Sequence, residues 1–187
     1  MTLQIIEPEM APAANDRIGR FEGYASVFNT VDRGNDLILP GAFRRSLSDR
    51  GVGGVKLLWQ HDPKEPVGVL DDIFEDHRGL FIRGRLILDV ARAREAYRLL
   101  SAGALDGLSI GFHTLQSDQG TDGVRTLGEV DLWEVSLVTF PMNEQARILS
   151  FKTDGRPENF TAVDETALVA GLRHLTGLMA PPDQVTR

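Results

Sequence analysis

Apolar and polar residues alternate along much of the first 150 positions, and the dominant period is two. Phe21-Glu-Gly-Tyr-Ala-Ser-Val-Phe28 alternates loosely and is rich in aromatics, which predicts a strand. Asp36-Leu-Ile-Leu39 predicts a short strand stopped by Pro40. Pro40-Gly41 then opens a short helix over 42–50, closed by Gly51, with Gly53-Gly54 as a flexible break. Further strands are expected over Val55–His61, Pro66–Leu70 and Gly79–Leu88, the last two joined by an acidic turn from Asp71 to Arg78. The period changes to that of a helix between Val90 and Ala102. There Val90, Ala93, Tyr97 and Leu100 share a face, and Gly103 ends it. Alternation returns in Gly107–Leu115, breaks in a polar loop (Gln116–Gly123), and resumes in a long strand, Gly128–Phe140, ended by Pro141.

Six to eight strands with one short and one longer helix place the chain in the mainly β, α+β class. A small closed, antiparallel-rich β-barrel surrounded by helices is the expected architecture, since closure hides strand edges. Residues 1–18 read as a flexible arm and 19–150 as the folded domain. Residues 151–187 read as an appendage, with one amphipathic helix expected over 163–179 through Leu168, Val169, Leu172, Leu175 and Met179.

Within this pattern, Gly107-Leu-Ser-Ile-Gly-Phe112 stands apart. Leu108, Ile110 and Phe112 should face the core, leaving Ser109 on the other face between two glycines, where little stands between the hydroxyl and an incoming backbone. Serine is a poor nucleophile unless a base takes its proton. His61, at the end of a strand beside the Asp62-Pro63 turn, can supply that base, and a third group must fix the imidazole tautomer. The acids of Glu129-Val-Asp-Leu-Trp-Glu134 can fill this role. If Trp133, Val135 and Leu137 point inward, Glu134 shares the outer face with Ser109, while Asp131 has the opposite parity. Glu134 is therefore favoured, with Asp131 and Glu129 as alternatives. Gly107–Gly111 matches Gly-x-Ser-x-Gly, but strand rather than helix follows it, so a nucleophile elbow is rejected. His113 lies four strand residues from Ser109, roughly 13 Å, too far to act as its base.

Composition narrows the chemistry. The 187 residues carry 42% hydrophobic and 25% charged side chains, ordinary for one soluble domain with a core. A net charge of −7 argues against general nucleic-acid binding. The absence of cysteine excludes disulfides, thiolate catalysis and a cysteine-based zinc site. The acidic turn near His77 reads as solvated rather than metal-binding, and no cofactor motif is present. With no apolar run near the ~20 residues that span a bilayer and no basic N-terminal signal, a soluble cytoplasmic protein is expected.

Five blocks in order resemble the prohead maturation proteases of tailed bacteriophages, which are related to the herpesvirus assemblins. They are Phe21–Phe28, Leu39-Pro-Gly-Ala-Phe43, Leu58-Trp-Gln-His-Asp62, Gly107–Phe112 and Leu132-Trp-Glu-Val-Ser-Leu-Val-Thr-Phe-Pro141, within about residues 20–148. The resemblance implies a herpesvirus-protease-like fold and a serine endopeptidase that cuts capsid precursor, scaffold and itself inside the assembling prohead. The family's histidine falls on His61 and its serine on Ser109. The assemblins carry a histidine as third member, whereas this chain has none between His113 and His174, which leaves Glu134, Asp131 or Glu129. By the same analogy the oxyanion hole comes from backbone amides after Phe140, and a homodimer is expected. The rival readings are a catalytically silent assembly or scaffold-like protein on the same fold, and a non-capsid esterase or peptidase with the same three residues.

Overall fold

The computed structural model describes residues 19–121, 123–153 and 157–159. The N-terminal arm and the helix expected over 163–179 lie outside them. The elements in chain order are β1 (Arg20–Val27), β2 (Asp36–Ile38), α1 (Arg44–Gly54), β3 (Lys56–Trp59), β4 (Asp62–Glu75), β5 (Gly79–Leu86), α2 (Ala91–Ser101), β6 (Gly107–Gln119), β7 (Arg125–Val138), β8 (Ile148–Lys152) and β9 (Pro157–Asn159). All nine strands belong to one sheet, ordered β2-β7-β3-β4-β5-β1-β8-β9, with β6 paired to β7. Most pairs are antiparallel, but β7 runs parallel to both β2 and β3. The sheet is curled, and its concave face buries Leu57, Leu80, Ile82, Leu108, Leu132, Leu137 and Phe151, each at most 1% exposed. Burying a side chain of this size contributes about 1.5–3 kcal/mol.

A closed barrel ringed by helices is not what forms. The path through the sheet is open, and the described residues contain two helices. Where β6 approaches the chain entering β8, contact is limited to an isolated bridge between Gly107 and Arg147. The Leu108 amide donates to the Ala146 carbonyl (3.0 Å) and the Ile148 amide to that of Asp106 (2.9 Å). Beyond that bridge β1 and β6 part without a ladder, leaving a gap beside Ser109.

Three local expectations also change. Asp71–Glu75 is strand rather than turn. Leu70 and Ile73 are buried, while Asp71 and Asp72 face solvent and pair with Arg20, Arg83 and Arg85. The turn proper is Asp76–Arg78, where the Asp76 carboxylate accepts the Arg78 and Gly79 amides. Likewise Gln116–Gln119 continues β6 as a ribbon with β7, because each residue there has a backbone partner across the ladder or beside it. In α2 the buried face is Ala93, Ala96 and Leu100, while Val90 is an extended, exposed cap.

Helix α1 covers the stretch of β7 that has no strand on that side. The Val130 amide donates to the Ala42 carbonyl (3.0 Å), and the buried Ser46 hydroxyl accepts the Leu132 amide (2.8 Å). A kink at Gly51, with φ of 64°, turns the helix end away; this left-handed conformation suits glycine. Arg50 forms a two-pronged pair with Asp131, both contacts at 2.7 Å. That guanidinium holds the Asp131 carboxyl down from the usual 3.8 to about 2. A lowered folded-state pKa gives stability that is present above the unfolded value and lost as pH falls through the folded one. Asp131→Asn should therefore reduce stability at neutral pH and flatten its decline between about pH 4 and pH 2, read by urea titrations across that range.

Candidate active site

His61 owes its position to a hairpin turn. Trp59 pairs with Asp62 across β3 and β4, so Gln60 and His61 form a two-residue loop. Both have positive φ, 50° and 62°. Such turns usually carry Asn-Gly or Gly, because left-handed backbone costs other residues about 1–2 kcal/mol each. Gln60 and His61 bear that strain, and residues held in this way cluster at functional sites.

The turn brings the His61 ring back over β7. Its Nδ1 lies 2.6 Å from Glu134 Oε1. The second carboxylate oxygen, Oε2, accepts the Ser136 hydroxyl at 2.7 Å. Ser136 in turn accepts the His61 backbone amide at 3.0 Å. This ring of hydrogen bonds fixes backbone and side chain of His61 against one carboxylate. Glu134 is mostly sheltered, with a side chain 12% exposed, whereas the His61 side chain is 42% exposed. An ionised carboxylate only accepts hydrogen bonds, so the proton between the two groups belongs to Nδ1–H. In the neutral ring Nε2 is then left as the acceptor.

Ser109 lies across β7 from His61. It pairs directly with Ser136, and Gly111 pairs with Glu134. Directly opposed residues of an antiparallel pair put their side chains on the same face with Cα atoms about 4.5–5.5 Å apart. Ser109, Ser136, Glu134 and the His61 ring therefore share one patch of sheet. The serine is less open than its glycine neighbours suggested, at 5% exposure, and lines the gap between β1 and β6.

Glycine at 111 is required by the carboxylate. A Cβ there would collide with Glu134 Oε1 and sit 2.9 Å from its Cδ and Cγ. Gly111→Ala should displace Glu134 from His61. A misplacement of this order costs on the order of 10²-fold in turnover, measurable as the initial rate of precursor cleavage with the melting temperature as a folding control.

The other acids are committed elsewhere. Asp131 binds Arg50 and the Trp133 indole N–H (2.8 Å), and Glu129 pairs with Arg45 at 3.2 Å. Trp133 does not point inward as the alternation implied; it is 47% exposed. The register slips there, Gly111 facing Glu134 and Phe112 facing Leu132, so Trp133 is the extra residue of a bulge. The His113 ring packs against that indole in a tilted arrangement, with centroids 4.8 Å apart. No cluster of metal-ligating side chains occurs among the described residues. Ser136 joins this hydrogen-bond network without a sequence motif to mark it; only its place two residues after Glu134 in a strand puts both on one face.

The sequence profile of caudovirus prohead serine proteases matches residues 4–158. The chain belongs to this family. It is 37% identical over 155 residues to the prohead protease of Enterobacteria phage HK97, covering 81% of this chain and 68% of that protein. It is also 30% identical over 156 residues to the capsid polyprotein of Pseudomonas phage PAJU2, covering 78% of this chain but 22% of that longer protein. Among solved structures, the bacteriophage T4 capsid assembly protease superposes with a TM-score of 0.51 at 15% identity, covering 64% of this chain and 82% of that one. At that identity the likeness speaks to fold alone, and it agrees with the mainly β architecture of this prohead-protease family member.

Proposed function

We propose that this chain is the serine endopeptidase of phage head maturation, with Ser109 as nucleophile, His61 as general base and acid, and Glu134 as the group that orients and stabilises the imidazole. The observation that carries the assignment is the 2.6 Å contact between His61 Nδ1 and Glu134 Oε1, on the sheet face that also bears Ser109.

The chemistry follows from the hydrogen bonds. With Nδ1–H given to Glu134, Nε2 can take the Ser109 proton as the hydroxyl oxygen attacks the scissile carbonyl carbon. The resulting imidazolium is stabilised by the sheltered carboxylate. His61 then passes the proton to the departing amine, leaving an acyl group on Ser109, and water releases it by the same route in reverse. Ser136 holds the carboxylate in place from its other oxygen, and so acts as a positioning residue.

The substrate in this reading is a capsid precursor or scaffold protein met inside the assembling prohead, with a homodimer as the expected assembly. Co-expression with the capsid precursor tests it. Intact-mass analysis should find defined fragments with the wild type and only full-length precursor with Ser109→Ala. An uncut precursor in the presence of folded wild type overturns the reading.

A further inference from the structure

The gap left where β1 and β6 part is a cavity of about 120 Å³, and Ser109 stands on its wall. Its other walls come from β1 (Ala25, Ser26), the segment leading into β2 (Thr30, Asp32), the start of β2 (Asp36) and the loop after β7 (Met142, Asn143). We infer that this cavity receives the substrate side chain on the acyl side of the cleaved bond, and that it selects a basic residue, lysine or arginine. The inference rests on Ser109 being the nucleophile and adds the substrate class.

Position comes first. The residue whose carbonyl Ser109 attacks must lie against Ser109, and its side chain needs a recess there. This cavity supplies one, opening between β6 and the last residues of β1, beyond the end of the pairing of β1 with β8.

Its chemistry comes from what is already satisfied. Ile38, Ile110, Phe112 and Met142 give apolar surface for an aliphatic stem. Asp36 has both carboxylate oxygens bound by the fork of Arg125, at 2.7 and 2.6 Å. Asn143 is also occupied, its amide donating to the Val27 carbonyl and its oxygen accepting the Gln145 amide. Two groups are left with capacity. Asp32 uses Oδ1 for the Gly34 and Asp36 amides, and among the described residues no salt bridge neutralises it; Arg125, committed to Asp36, is only a weaker electrostatic neighbour. The Ser26 hydroxyl is buried, in a residue 1% exposed, and has no hydrogen-bond partner. A buried hydroxyl without a partner is costly, and such a group in a cavity beside a nucleophile is explained by a ligand that completes it. The cavity is thus lined by one carboxylate without a salt bridge and one unsatisfied hydroxyl, beside apolar side chains. A lysine or arginine head satisfies both, whereas an acidic side chain meets repulsion and an apolar one leaves both unpaired.

The cuts made during co-expression with the capsid precursor provide the test, mapped by mass spectrometry of the fragments. The residue before each cut should be lysine or arginine. Replacing it with methionine in the precursor should slow cleavage at that site by about tenfold or more, as expected when a site lined by polar groups loses the group that satisfies them. Asp32→Asn keeps the Oδ1 acceptor for the Gly34 and Asp36 amides, and should bring the lysine-to-methionine ratio to within about threefold. Ser26→Ala should lower the same ratio by a smaller factor. Labelling of Ser109 by a fluorophosphonate in each variant shows that the nucleophile is still in place. Cuts after acidic or apolar residues, or a ratio unchanged in Asp32→Asn that still labels, would overturn the basic-residue pocket while leaving the nucleophile assignment intact. A wild type that neither labels nor cuts removes the nucleophile assignment itself, and the pocket with it. Should either cavity variant fail to label, the methionine substitution in the precursor still decides.

Discussion

Ser109→Ala is expected to abolish cleavage of the capsid precursor and of the chain itself while leaving the fold in place. Removing the nucleophile of a catalytic set that acts as a unit lowers turnover on the order of 10⁴- to 10⁶-fold. The structural cost should be small. The change deletes one hydroxyl from a residue on a cavity wall, and Leu108 and Ile110, its neighbours in β6, keep their packing against the core cluster. A loss of stability above about 1 kcal/mol is not expected from such a change. Precursor processing and urea unfolding measured on the same preparation separate the two effects. Processing by the mutant at the wild-type rate would remove Ser109 from the mechanism.

Glu134→Gln should have the second largest effect. The carboxylate accepts from His61 Nδ1 and from Ser136, and a glutamine can still pack in the same space. The amide presents both a donor and an acceptor, so it no longer enforces the Nδ1–H tautomer and cannot balance an imidazolium. The corresponding acid-to-amide change in the Ser-His-Asp proteases costs about 10⁴ in turnover. His61 is partly exposed here, so water can take over part of the role, and a loss of about 10²- to 10⁴-fold is expected. The loss should fall on kcat, since the carboxylate touches the base and not the substrate. His61→Ala should be as inactive as Ser109→Ala, and the double mutant no worse, because groups acting as a unit are non-additive. Additive losses would instead make His61 a substrate-binding residue. Asp131→Asn, which breaks the contact to Arg50, should change the cleavage rate by less than about twofold, since the tie it breaks belongs to α1 and not to the His61 ring.

How far these contacts were readable from the chain depends on the range of the forces that set them. Strand positions followed from alternation because burial of Leu108, Val135 and Leu137 on one face is a local pattern with a period of two. The same parity put Glu134 with Ser109. Trp133 broke the pattern for a reason outside its own strand. On the edge of β7 away from β6 no strand among the described residues covers this stretch, and the Leu132 amide is satisfied there by Ser46, 86 residues away. No local pattern encodes that partner. The left-handed turn at Gln60-His61 was equally silent, since neither residue carries the glycine or asparagine that marks such a turn. The ribbon formed by the ends of β6 and β7 read as loop because its polar composition outweighed cross-strand pairing that only the fold supplies. The incomplete closure of the sheet is also a tertiary outcome. Alternation alone implies that edges are hidden, yet here the free edge of β6 and the end of β1 beyond its pairing with β8 frame the cavity beside Ser109. A catalytically silent assembly protein would have little reason to keep two residues in strained conformations so that a histidine can meet a carboxylate.

The most direct test is to treat the folded chain with a fluorophosphonate and locate the adduct by peptide mass spectrometry. One adduct on Ser109 is predicted, strongly slowed in Glu134→Gln and absent in His61→Ala. An adduct on Ser136 instead, or labelling of Ser109 that persists unchanged without His61, would contradict the account.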